Sequence, residues 1–437
     1  MLSDVEVFSP ISANKFRETK YWEKLPEIYR HTFDVTSLVL PFRVNKFVLD
    51  NLIDWDVGVS DPLFQLVFPQ HGMLTESQFN RIDQARNCER VDLVSAVKQV
   101  RSELNPHPSG QTLNIPVLDD NKIGGIQHKY SETVLFFPSA GQSCHSYCSF
   151  CFRWAQFVGE SEERFQSRDV EQLVKYLQRH PEVTDILITG GDPMIMRTKV
   201  LERYILPLLE KTAISTIRFG SKALTYWPNR FTSDNDADEL LLLFEKIVKS
   251  GRHVAFMAHL NHPRELEPKE TKKAISRILA TGAIIRTQAP LLRNINDKAQ
   301  DWIDLWTQQV RLGCIPYYMF VERDTGPKHY FEVPLSKGYE IFQAAYSQVS
   351  GLARSVRGPI MSATSGKVMI DGILEFEGKK YFSLQYLQAR ESHLCRRPFL
   401  AEYDSNAVWF DQLKPVTFPN PDRLPVFDHA ARVSEYK

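Results

Sequence analysis

From Thr133 onward the chain repeats short β-branched or apolar runs, "TVLFF", "DILITGG", "TIRFGS", "HVAFMAH", "AIIRTQAP" and "IPYYMFV". They begin at Thr133, Asp185, Thr216, His253, Ala283 and Ile315, so all but the first interval are of helix-plus-loop length. Between them lie amphipathic stretches such as "DADELLLLFEKIVKSG" and "KETKKAISRILATG", each ending on a glycine suited to a helix C-terminus. Strand, helix, strand at about 30-residue spacing predicts βαβ units and a parallel sheet. Six such units fit an incomplete (β/α) barrel or a doubly wound open sheet, and periodicity does not separate the two.

The flanks differ. Residues 1–125 read as helical and irregular, broken by "VLPF", "VFPQHG" and "LNPHPSG". After residue 330 come a helical "LSKGYEIFQAAYSQVSGLARSV" and a hairpin, "KVMIDGILEFEGKKYFSLQYLQ", turning near Glu377 and Gly378. The tail "FPNPDRLPVFDHAARVSEYK" reads as an extended clasp. We therefore expect three regions: 1–125, a core at 126–330, and 331–437.

Lys plus Arg equals Asp plus Glu at 53 each, so no global charge steers the chain to nucleic acid or an anionic membrane. No apolar run approaches the roughly 18–20 residues that cross a bilayer, and "MLSDVEVFSP" lacks a basic leader. A cytoplasmic setting is expected, with reduced thiols.

The gap after the first strand holds "QSCHSYCSFCFRW", which crowds three of the chain's six cysteines into C-x3-C-x2-C: Cys144, Cys148 and Cys151. A zinc site usually draws four ligands from two short pairs, and here there is one triplet; Cys88, Cys314 and Cys395 stand alone. Three thiolates from one loop suit three irons of a [4Fe-4S] cluster, with the fourth iron left open for a small ligand. Tyr147, Phe150, Phe152 and Trp154 interleave with them and would screen such a cluster. Zinc bound with His145 or a distant fourth ligand, and three merely buried cysteines, are the alternatives.

With "GGDP" after the second strand, this cysteine loop resembles that of the radical S-adenosylmethionine (SAM) enzymes. "GGIQHKYSETVLFF", "ILITGGDP", "HLNHP", "PLLRNIND", "PYYMF" and "PLSKGYEI" stand in the order of the lysine 2,3-aminomutase family, from about Gly124 to Lys367. A weaker echo lies near residues 42–69. The resemblance implies a (β/α)6 partial TIM barrel with a mostly helical N-terminal extension and an α+β C-terminal one. It implies an isomerase that migrates the amino group of an L-amino acid from C2 to C3, using a [4Fe-4S] cluster, SAM and pyridoxal 5′-phosphate (PLP). The partners implied are a small amino-acid substrate and a reductant such as flavodoxin or ferredoxin; a homo-oligomer is open.

Carried over by motif, Gly190, Gly191, Asp192 and Pro193 approach the SAM amino group. Ser221, His259 and Gln288 line the SAM or substrate side. Arg153 grips the substrate carboxylate, its planar fork suiting bidentate binding. Lys129 and Tyr130 contact PLP, and Lys367 is the lysine that bonds it. Asp297 matches one of two carboxylates that hold a lysine side-chain ammonium.

The chain also departs from the family. Lys129 stands where arginine is usual, Thr133 replaces a second phosphate-contacting arginine, and "SATSG" replaces a glycine-rich run before Lys367. The second carboxylate, expected a few residues before Lys367, is missing from "RGPIM". Nor is there the C-terminal cysteine cluster with which some members bind zinc. A radical SAM enzyme without PLP, doing another hydrogen abstraction, is the alternative function.

Overall fold

The computed structural model describes residues 9–105, 113–158 and 165–416. The expected tail clasp from Phe418, most of "LNPHPSG" and the start of the chain lie outside the described residues. No described helix is long and apolar enough to cross a membrane.

One eleven-stranded sheet runs through the molecule in sequence order. Its strands are β1 (Ile126–Tyr130), β2 (Thr133–Phe136), β3 (Asp185–Ile188), β4 (Thr216–Ser221), β5 (His253–His259) and β6 (Ile284–Leu291). They continue as β7 (Ile315–Val321), β8 (Arg357–Ser362), β9 (Gly366–Phe376), β10 (Lys379–Ala389) and β11 (Pro398–Glu402). Neighbours from β2 to β8 pair in parallel, and the outer strands β1, β9, β10 and β11 pair antiparallel. All six runs read from the sequence are therefore parallel strands. A seventh, β8, escaped notice because "RGPIMS" carries a glycine and a proline, both poor strand signals. The hairpin turns at Glu377 and Gly378, both at positive φ (51° and 72°).

Strand order decides where the chemistry sits. Right-handed crossovers between strands laid down in one direction put every connecting helix on the same face. That face is apolar: Ile186, Phe219, Phe256 and Ile285 share a core with Leu173, Leu201, Phe244 and Trp302 of the helices. The opposite face alternates out of register with it and carries Asp185, Arg218, His259, Arg286, Gln288 and Tyr317, all half-buried. Laid flat, β1 and the end of β8 would stand about 34 Å apart at 4.8 Å per strand. Yet Lys129 on β1 donates its amine hydrogen to the carbonyl of Ala363, just past β8. The sheet therefore curls, bringing β1 within a side chain's reach of the end of β8, and the polar face lines the concave side that bounds a chamber.

The N-terminal region closes one mouth of it. Phe16, Phe33, Phe42, Phe64 and Phe68 form an aromatic core that also takes in Phe150 and Trp154 of the cysteine loop and Tyr226, Leu292 and Phe331. The C-terminal hairpin and β11 extend the sheet and bury Phe382, Leu384, Tyr386 and Phe399 among themselves.

Candidate active site

The loop after β2 brings the three cysteines to the C-terminal end of the parallel strands, and the N-terminal region straps it there. Arg43 donates from Nη1 to Ser143 Oγ and to the carbonyl of Cys144 (3.0 Å). Its own carbonyl accepts from Tyr147 N (2.9 Å) and Ser146 Oγ (3.1 Å). Ser149 bonds through N to Leu66 O (2.9 Å) and through Oγ to Gln65 O (2.6 Å). This explains the echo near residues 42–69: those positions hold the cysteine loop in shape.

All three thiols are free. Burial, reinforced by their mutual negative charge, pushes Cys144 far up and Cys148 to about 12; burial lifts Cys151 to about 11. Protonated thiols are the metal-free state, and bound iron would hold them as thiolates. Among the described residues no three His, Cys, Asp or Glu side chains close around a single ion. A four-iron cluster asks for one thiolate per iron, so three cysteines of one loop, screened by aromatics, fit it as a donor set.

"GGDP" packs directly on this loop. Gly191 N bonds to Gly141 O (3.0 Å) and Asp192 N to Ser143 O (2.9 Å). A Cβ on Gly191 would lie 2.5 Å from Ser143 O, and one on Gly190, at φ +153°, would collide with Gln142. Whatever these glycines do for SAM, the family ligand carried over to them by motif, they first admit the cysteine loop's backbone. Gly191→Ala is accordingly expected to cost about 1–3 kcal/mol of overpacking. A lowered Tm together with a reduced iron-to-protein ratio after anaerobic reconstitution checks this.

Asp192 is wholly engaged in protein contacts. Its carboxylate accepts from Ser221 Oγ (2.8 and 2.9 Å), Lys222 N (2.9 Å) and Met194 N (2.9 Å), and lies 3.1 Å from His145 Nε2. Burial would raise it, but these hydrogen bonds prevail and keep it below the usual carboxylate value. Asp192 and Ser221 thus knit the ends of β3 and β4 to the cysteine loop, and Pro193 opens the short turn that follows. His259 and Gln288 meet across β5 and β6, Nε2 to Nε2, at 2.9 Å. Burial and then the charge of Lys222 lower His259 to about 4, so a neutral ring accepts from the amide.

Lys222 and Glu265 were not singled out by the sequence reading. Lys222 Nζ reaches Glu265 Oε2 (2.7 Å) and Asn261 Oδ1 (2.8 Å), while Glu265 Oε1 accepts from the N–H groups of Asn261 and His262 (2.7 and 3.1 Å). The pair is buried and fully hydrogen-bonded, the condition under which a buried ion pair is tolerable. Only its position at two strand ends, in "GSK" and "HLNHPRE", could have pointed to it.

Arg153 is 7% exposed. It donates from Nη1 to Gly190 O (2.8 Å), lies over the Phe137 ring at 4.0 Å, and leaves Nη2 buried without a partner. Asp297 turns back on its own loop, accepting from Asn294 N (3.1 Å).

The other wall carries the lysines. Lys367 is the second residue of β9, opposite Ser362 and Gln388. Its Nζ donates to Gln388 Oε1 (2.6 Å) between the rings of Tyr130 (5.3 Å) and Tyr318 (5.0 Å). Burial, then the charges of Arg218 and Arg357, lowers it to about 7. An amine so placed is neutral and nucleophilic near physiological pH, which fits a group that bonds an aldehyde. Lys129 is also lowered to about 7, by burial and then Arg323 and Arg390, but its amine is spent on Ala363. Thr133, in place of a family arginine, touches Asp185 Oδ2 at 3.5 Å, and that carboxylate grips Arg218 with both oxygens (2.7 Å each).

No family model matches the chain. A putative L-lysine 2,3-aminomutase of Aquifex aeolicus is 29% identical over 395 residues, 90% of this chain and 93% of that protein. The L-lysine 2,3-aminomutase of Fusobacterium nucleatum is 29% identical over 60% of each chain. The glutamate 2,3-aminomutase of Clostridioides difficile is 24% identical over 62% of this chain and 61% of its own. Among solved structures, a radical SAM methyltransferase from Sphaerobacter thermophilus aligns with a TM-score of 0.37 and 17% identity over 57% of this chain and 68% of its own. By its sequence the chain is a relative of a putative L-lysine 2,3-aminomutase over nine-tenths of its length, and of further L-lysine 2,3-aminomutases over shorter spans.

Proposed function

We propose that the protein is a radical SAM, PLP-dependent amino-acid 2,3-aminomutase, built on a (β/α)6 partial barrel. The observation that carries this reading is the meeting of two walls. The first parallel strand delivers three thiols to the chamber's mouth, and the far side of the curled sheet delivers the Lys367 amine into the chamber between two tyrosines.

In this reading Cys144, Cys148 and Cys151 hold the cluster. Gly190, Gly191, Asp192 and Pro193 shape the adjoining SAM seat, with Ser221, His259 and Gln288 along the strand ends. Lys129 and Tyr130 flank PLP, Lys367 bonds it, and Arg153 takes the substrate carboxylate. Asp297, matched by motif to one of the family's ammonium-holding carboxylates, caps its own turn. A cluster with SAM supplies a radical that takes a β-hydrogen, and PLP supplies the carbonyl that carries the migrating nitrogen. The chain's own work is to orient these groups, to keep the Lys367 amine neutral, and to exclude water with the aromatic N-terminal cap.

The regions 1–125, 126–330 and 331–437 then serve as cap, radical core and PLP-side wall. A cytoplasmic setting suits the free thiols, and an electron donor such as flavodoxin or ferredoxin is required.

The test is anaerobic reconstitution with iron, sulfide, PLP and SAM, reduction with dithionite, and incubation with a panel of L-amino acids. NMR of the mixture is expected to show a β-amino acid from at least one of them. 5′-Deoxyadenosine without any β-amino acid would overturn the assignment in favour of a PLP-free radical enzyme.

A further inference from the structure

The polar face of the sheet gathers several arginines, and not all of them are matched by a carboxylate. Arg218 is held by Asp185, but Arg357 lies over the rings of Tyr317 and Tyr318 (4.5 Å each) and Arg286 over Tyr317 (5.0 Å). Among the described residues neither has a carboxylate within ion-pair distance. Toward the cysteine loop, Arg323, two residues past β7, lies over Phe152 (5.5 Å) and Trp409 (5.8 Å). Asp324 approaches it at 3.7 Å, yet its Nε stays buried with no hydrogen bond.

Arg153, the neighbour of Phe152 in sequence, likewise has one guanidinium nitrogen buried and unpaired. Two incompletely satisfied guanidinium groups thus belong to or touch the cysteine loop: Arg153 is part of it, and Arg323 rests on its Phe152. Leaving a buried polar group unpaired is unfavourable, and the partner a guanidinium fork matches best is a carboxylate. A substrate with one carboxylate answers only one of the two.

The same geometry disfavours a cationic side chain. Lys129, with Arg323 and Arg390 close enough to lower its proton affinity, shows what a further ammonium would meet there. The one acid expected to hold an ammonium, Asp297, caps its own turn.

We propose that the substrate is a dicarboxylic L-amino acid, with Arg153 on one carboxylate and Arg323 on the other. The proposal rests on the aminomutase reading above and names its substrate class.

The test uses full-length protein reconstituted with iron, sulfide and PLP, titrated anaerobically without reductant with the full set of L-amino acids, glutamate, aspartate and lysine among them, while SAM cleavage is assayed in parallel under dithionite. Dissociation constants are read from the pyridoxal absorbance band. A dicarboxylate is expected to bind at least about tenfold more tightly than lysine, or about 1.4 kcal/mol. Arg323→Glu is expected to reverse the order, and Arg323→Lys, which keeps the charge, to keep the dicarboxylate ahead by a smaller margin.

Preference of the wild type for lysine or a neutral amino acid overturns the proposal and leaves the aminomutase reading standing. So does an Arg323→Glu variant whose affinity for PLP alone falls while the glutamate-to-lysine ratio is unchanged, since Arg323 would then serve the cofactor phosphate. If no amino acid of the full set moves the band while SAM is still cleaved, both readings fall together.

Discussion

Cys148→Ala is expected to abolish reductive cleavage of SAM. Removing partners that merely support metal ligands already costs about 10–100-fold in affinity or activity, so loss of a direct ligand is expected to exceed about 100-fold. The middle cysteine cannot be replaced from nearby: Cys314 is buried within the main core and Cys395 among the C-terminal strands, away from this loop. The measurement is 5′-deoxyadenosine formed under dithionite, with iron content measured beside it. Cleavage at the wild-type rate would remove the cluster from these three cysteines. Retained zinc in the wild type after anaerobic purification, with no iron–sulfur absorbance on reconstitution, would support the metal-site alternative.

The second large effect belongs to Lys367. Borohydride reduction of the PLP-loaded protein should leave a pyridoxyl group on the peptide containing Lys367, and Lys367→Ala should lose it. Turnover in that variant is expected to fall by at least about 10³-fold, or roughly 4 kcal/mol at 1.36 kcal/mol per decade. The pH dependence follows from the sign of the shift. An ordinary lysine is protonated well past pH 9, but this amine is lowered to about 7. Labelling should therefore rise through pH 7 and level off by about pH 8, where the neutral form is nearly complete. Peptide mapping matters because Lys129 is lowered to a similar value. A label on Lys129 instead would reverse the roles of the two chamber walls.

The cysteine triplet was legible because its donors follow one another in a short loop, so spacing alone carries the information. "GGDP" was legible in place but not in reason, since Ser143, the atom group that excludes a side chain at Gly191, lies 48 positions earlier in the chain. The strand–helix rhythm was equally open to reading, for alternation and helix periodicity are local properties. Its last parallel strand, β8, was hidden by Gly358 and Pro359.

What the sequence by itself determined is the strand–helix rhythm, the loop that carries the thiols, and the relationship to the aminomutases. Only the tertiary structure decided which side chains share the chamber. Periodicity cannot say whether a parallel sheet stays open or curls, and it is the curl that sets Lys367 beside Tyr130 and Lys129 against Ala363. The lowered affinity of Lys367 for a proton arises in the same way, from burial and from arginines on strands distant in sequence. So do the unpaired guanidinium nitrogens of Arg153 and Arg323. Such effects depend on desolvation and on charges converging from separate strands, and neither is written in any short stretch of the chain.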